Sequence, residues 1–234
     1  MIHREKTLHA FARLLSYPTE EYIQSAELLY VIFSSEMPEA ATKMATFGDA
    51  MSPLCLNEQE ELFASTFDIN PPCALEVGWH LFGEEHLRGQ FLVRMREEIR
   101  RYNLPESAEL PDHMLHVLAV IAAMPNDEAI RLVHSCIFSA LKKMEEALKE
   151  TETSYGLVIS ALSLFLVHEF GEPEIDEHPD HLDFVNGQPQ FSDDPLHAYP
   201  MPNSGCSSNL VEFVPLHIDY HSNHSSIPTG EGHG

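Results

Sequence analysis

Apolar residues recur every three or four positions along most of the chain. Leu8, Phe11, Ala12 and Leu15 form one stripe; Tyr22, Ile23, Ala26, Leu29, Tyr30 and Phe33 form another. Leu87, Phe91, Met95, Ile99 and Tyr102 continue the rhythm, as do Ile130, Val133, Ile137, Leu141, Met144 and Leu148. This spacing sets each group on one face of an α-helix and predicts amphipathic helices around a shared core. The stretch LNEQEELFASTF adds a helix whose Asn57 and Glu60 stand three apart, as in a capping box. Two segments, beginning near Met114 and at Tyr155, are apolar nearly all round and predict buried helices. The second, Tyr155 to Val167, is an apolar run of 13 residues, too short to cross a bilayer. Sustained period-two alternation is missing, so the expected fold class is all-α, a single compact bundle-like domain. Pro, Gly, Asn and Asp mark the breaks at Tyr17–Pro18, Met37–Pro38, 68–72, Gly83, 104–107 and 124–127.

The pattern changes after Phe170. Residues 1–170 read as the helical domain. Residues 171–234 are rich in Pro, Ser, Asn, Asp and His and read as an acidic, flexible tail. Within the tail, Asn209 to Ile218 is apolar enough to dock on the body, with the patch centred on 210–218. All 13 Lys and Arg lie within residues 1–150.

Charge narrows the classes of partner. A formal net charge of -24 argues against nucleic acid and against anionic membrane surfaces, both of which need clustered Lys and Arg. It favours a basic partner. The start, MIHREKTLHAF, has no long apolar run, so no secretory signal is expected. Cys55, Cys73, Cys136 and Cys206 form no C-x-x-C pair, which fits reduced thiols in a cytoplasmic protein.

The chain carries no H-E-x-x-H, G-x-S-x-G, Walker A or G-x-G-x-x-G element in a suitable context. Arg88, Arg94, Arg96, Arg100 and Arg101 could grip an anion, but nearby glutamates favour a solvated helix face. ELPDH, at 109–113, stands before the apolar run. Asp112, His113 and His116 could supply metal ligands or a catalytic base, though no fourth ligand stands nearby. The plainer reading makes Pro111 part of a helix first turn, with Glu109 and Asp112 exposed beside its positive end. His217, His221 and His224 read as solvated tail histidines.

ELPDH resembles the E-L-P-D-H-L motif of the nitrate reductase assembly chaperones of the NarJ type. It is also similar to the E-P-x-D-H motif of the wider TorD/DmsD chaperones of molybdenum enzymes. FARLLSYPTEE at 11–21 and STFDINPPCALEVGWHLFGEEHLRGQFLVRM at 65–95 resemble two further blocks of that family, in the same order. The resemblance covers most of residues 8–170. It implies an all-helical, cytoplasmic, non-enzymatic chaperone that carries no cofactor of its own. Such a chaperone binds the N-terminal segment of a molybdoenzyme catalytic subunit, typically basic and amphipathic, while the molybdenum cofactor is inserted. It assigns client contact to Phe67, Asp68, Arg88, Glu109, Leu110, Pro111, Asp112 and His113. A metal site or enzyme built on Asp112, His113 and His116 stays as the alternative.

Overall fold

The computed structural model describes residues 2–151 and 153–173. Among them, ten α-helices follow one another and no strand forms. They are α1 (Arg4–Leu14), α2 (Tyr22–Phe33), α3 (Pro38–Met51), α4 (Leu56–Phe67), α5 (Val77–Phe82), α6 (His86–Arg101), α7 (Met114–Ala123), α8 (Asn126–Leu132), α9 (Phe138–Leu148) and α10 (Tyr155–Phe170). The all-α class is the one the periodicity predicts. The expected tail beyond residue 173, with its patch at 210–218, lies outside the described residues.

The two helices that are apolar all round must be covered all round. α1 lies on α7 and also packs against α2, while α3 packs between α2 and α10, and α9 backs α10. Val117, Leu118, Val120 and Ile121 of α7 are fully buried, as are Val158, Ile159, Leu162, Phe165 and Leu166 of α10. Tyr155 sits among Phe47, Phe63 and Phe67, with the Phe67 ring centroid 4.8 Å away. Its hydroxyl meets that of Tyr22 at 2.8 Å, and Tyr22 also donates to the Leu14 carbonyl at 2.7 Å. These bonds satisfy polar groups that would otherwise be buried unpaired.

Three local expectations are corrected. The capping pair of α4 is Cys55 with Glu58, whose carboxylate accepts from the Cys55 N–H at 2.8 Å, and not Asn57 with Glu60. The buried Gln59 amide donates to the Met51 and Leu54 carbonyls, which ties the helix start to the preceding turn and sets it two residues early. The stripe from Ile130 to Leu148 is not one regular helix. A π-turn at Val133–Ile137 joins α8 to α9, and the wider turn keeps Val133, Ile137 and Leu141 all inward. Lastly, α7 starts at Met114 with His113 as its N-cap, so Pro111 and Asp112 precede the helix.

Candidate functional site

Stretches far apart in sequence converge on a cleft of about 400 Å³. Phe63 and Phe67, on the last turns of α4, form an aromatic wall continuous with Tyr155 in the core. Tyr17, from the α1–α2 loop, stands edge-on to Phe63 at 5.8 Å and is 52% exposed, so it forms part of the mouth. Leu75 and Trp79 contribute the opposite apolar side, with Ala74 and Pro71. The Trp79 indole N–H donates to the Pro71 carbonyl at 3.1 Å, which fixes the ring against the turn at Pro71–Cys73.

A short antiparallel pairing brings ELPDH to this place. The Val77 N–H donates to the Asp112 carbonyl, and the Met114 N–H donates to the Leu75 carbonyl, both at 2.9 Å. Glu76 and His113 face each other across this bridge. Two backbone bonds thus clamp the segment before α7 to the segment before α5.

Of the eight residues picked out in the sequence, Phe67, Asp68, Arg88, Glu109 and His113 line the cleft. Leu110, 44% exposed, stands beside Glu109 on the surface. The motif splits in the middle: Glu109 and Leu110 are exposed, whereas Pro111, Asp112 and His113 are buried. The exposed-rim expectation therefore fails for Asp112, at 0% exposure, and for His113, at 5%. The physical reason is the pairing with residues 75–77, which turns both side chains inward.

The electrostatics follow from that burial. His113 Nδ1 accepts from the Leu115 N–H at 3.1 Å and caps α7. Desolvation, with a smaller push from His116, lowers the His113 pKa to about 4. Its imidazole is therefore neutral at physiological pH. Desolvation pushes Asp112 up to about 6, against the pull of Arg88 and with a further push from Glu76. Its Oδ2 lies 3.6 Å from Arg88 Nε. Burial also raises Glu109, helped by repulsion from Glu76 and Asp68, so three carboxylates crowd one another at the mouth. Such a mouth favours a cationic ligand group.

Asp112, His113 and His116 are engaged separately. Asp112 faces Arg88, His113 caps α7, and His116 Nε2 meets Ser107 Oγ at 3.0 Å. Among the described residues, no group of three or more His, Cys, Asp or Glu is placed to hold a metal ion. The tail histidines His217, His221 and His224 lie outside the described residues. Most of the arginine run of α6 behaves as its glutamates suggested. Arg94 pairs with Glu98 at 2.6 Å, Arg101 holds Glu128 through two contacts at 2.7 and 3.0 Å, and Arg100 reaches Glu106 at 3.4 Å. Arg88 differs, because it lines the cleft.

Sequence reasoning missed Tyr17, Phe63, Leu75, Glu76 and Trp79 as site residues. Trp79, the only tryptophan of the chain, carried a usable signal. A large amphipathic ring tends to sit where one edge stays wet.

A sequence profile of the nitrate reductase delta subunit family matches residues 33–156, more than half of the chain. The chain belongs to the nitrate reductase delta subunit family. Its matched stretch holds every cleft residue except Tyr17. The nitrate reductase molybdenum cofactor assembly chaperone NarJ of Escherichia coli K12 is 25% identical over 155 residues, which cover 64% of this chain. The chain spans 65% of the length of that relative. The probable nitrate reductase molybdenum cofactor assembly chaperone NarJ of Bacillus subtilis is 26% identical over 164 residues, covering 68% of this chain and 87% of the relative. Among the described residues of this family member, no helix is long and apolar enough to cross a membrane.

Proposed function

We propose that this chain is a system-specific, non-enzymatic chaperone for the catalytic subunit of a molybdoenzyme of the nitrate reductase type. It binds the apo-subunit in the cytoplasm and holds it while the molybdenum cofactor is inserted, before membrane attachment or export. The client's N-terminal segment, as a basic amphipathic helix, lies with its apolar face against Phe63, Phe67, Leu75 and Trp79. Its Lys and Arg meet Asp68, Glu76 and Glu109. The observation that carries this reading is the cleft itself. It gathers three separated motif blocks into one apolar trough with an acidic mouth, in a chain whose named relatives are assembly chaperones.

Apolar anchors supply most of the affinity in helix-in-groove binding, while mouth charges set association rate and salt dependence. Pro111 and Asp112 are buried behind the wall, so their part in binding is indirect, whereas His113 lines the cleft. The test is co-expression of the full chain with candidate catalytic subunits, with and without their N-terminal segments. Co-purification of the intact subunit, its loss on removal of the segment, and chaperone-dependent enzyme activity are expected. Capture that is indifferent to the segment would overturn the cleft assignment; failure to capture or activate any such subunit would overturn the function.

A further inference from the structure

The cleft holds one arginine among its carboxylates, and the placing of that arginine is unusual. Arg88 lines the cleft, and its guanidinium carbon lies 5.6 Å over the Trp79 ring. Behind it, Asp112 is wholly buried, with its Oδ2 3.6 Å from Arg88 Nε. Arg88 Nε finds no hydrogen-bond partner among the described residues, while the Asp112 carboxylate is stabilised by the backbone N–H groups of Gly78 and of Asp112 itself as well as by Arg88. Gly78 makes room for it: a Cβ there would stand 2.7 Å from Asp112 Oδ2, 3.0 Å from Phe91 Cδ1 and 3.3 Å from Arg88 Cγ. A buried carboxylate is costly unless an opposite charge and hydrogen bonds offset its desolvation, and Arg88 supplies that charge.

We propose that Asp112 is a positioning residue. It fixes the Arg88 guanidinium against Trp79, and that fork accepts an oxygen ligand, a carboxylate or a helix C-terminal carbonyl, from the client segment. This rests on the chaperone reading above. The three carboxylates take the cations of the client, and Arg88 takes an acceptor. A cleft bearing both signs fixes the direction in which a helix lies, which the acidic mouth alone would not do. The planar fork of arginine suits carboxylate and carbonyl acceptors, and stacking on an aromatic ring keeps it in place.

The experiment is calorimetric titration of the full chain with synthetic N-terminal peptides of a candidate catalytic subunit. Arg88→Gln is expected to weaken binding roughly tenfold, the loss of one charge-assisted hydrogen bond. Asp112→Asn should weaken it by a similar factor, and the double variant no further, because Asp112 acts only through Arg88. Gly78→Ala, which displaces the Asp112 carboxylate, should reproduce the loss in a chain that keeps both charges. Peptides with single Asp→Asn or Glu→Gln changes identify the acceptor. One such change that cancels the Arg88 effect names a side-chain carboxylate, and none that does so names a backbone carbonyl. Additive losses in the double variant, or an Arg88→Gln chain that binds normally, would overturn the proposal. Should Asp112→Asn not fold, Gly78→Ala and Arg88→Gln decide it. Unaltered chain that binds no such peptide would fail the chaperone reading itself, a distinct result.

Discussion

Asp112 and His113 are adjacent, both buried, and shifted in opposite senses, and the pH dependence of stability tests that arrangement directly. Asp112 rises from 3.8 to about 6 on folding. At about 1.4 kcal/mol per pH unit, this corresponds to roughly 3 kcal/mol. The folded chain binds the proton more tightly, so the contribution is present below the unfolded pKa and is lost as pH rises through 6. His113 falls from 6.5 to about 4, again roughly 3 kcal/mol. Here the unfolded chain binds the proton more tightly, so the contribution is present above the unfolded pKa and is lost as pH falls towards 4. Between pH 4 and 6 the two slopes oppose each other and nearly cancel. Asp112→Asn mimics the protonated acid and removes one slope. Urea unfolding at half-unit steps from pH 4 to 7.5, with each variant compared with the unaltered chain, reads the difference. The stability of Asp112→Asn relative to the unaltered chain should climb with pH by up to about 3 kcal/mol. His113→Asn, which keeps a good N-cap residue, should show the reverse: its relative stability should be greatest at low pH. A difference that stays flat across this range for both variants would refute the burial argument.

Other outcomes follow from the same geometry. Trp79→Ala should weaken client-peptide binding at least tenfold, as loss of a central aromatic anchor does, with little change in Tm. The fluorescence of this sole tryptophan should respond to peptide in the unaltered chain. Raising salt should weaken the same binding several-fold without abolishing it, because charges at the mouth are screened while apolar anchors are not. Tyr22→Phe removes a donor to Leu14 and a partner of Tyr155 and should cost about 1–2 kcal/mol by chemical denaturation. Glu98→Ala takes a 1%-exposed carboxylate away from Arg94 and Arg101. Since Arg101 is half in solvent and Arg94 largely covered, the cost should be about 1–3 kcal/mol, read as a fall in Tm.

What the sequence determined by itself was the class of fold and the material of the core. A stripe such as Leu8, Phe11, Ala12 and Leu15 has only one arrangement that buries all four, a helix lying on other helices, and all four are buried. The run from Tyr155 had to be central because no face of it is polar. The motif blocks were also legible: the resemblance they carry picks out Phe67, Asp68, Arg88, Glu109 and His113, which meet in the cleft. What only the tertiary structure decided was direction. ELPDH reads as an exposed helix start because local rules see Pro111, two acids and an apolar run, and they cannot see a partner segment. The bonds from Val77 to Asp112 and from Met114 to Leu75 join stretches more than thirty residues apart. They turn Asp112 and His113 inward and leave Glu109 and Leu110 at the surface. In the same way, Arg88 differs from Arg94 and Arg101 only in its neighbours. Periodicity is a local property of the chain, whereas burial, and with it the charge state of a buried acid or imidazole, depends on what the rest of the chain packs around it.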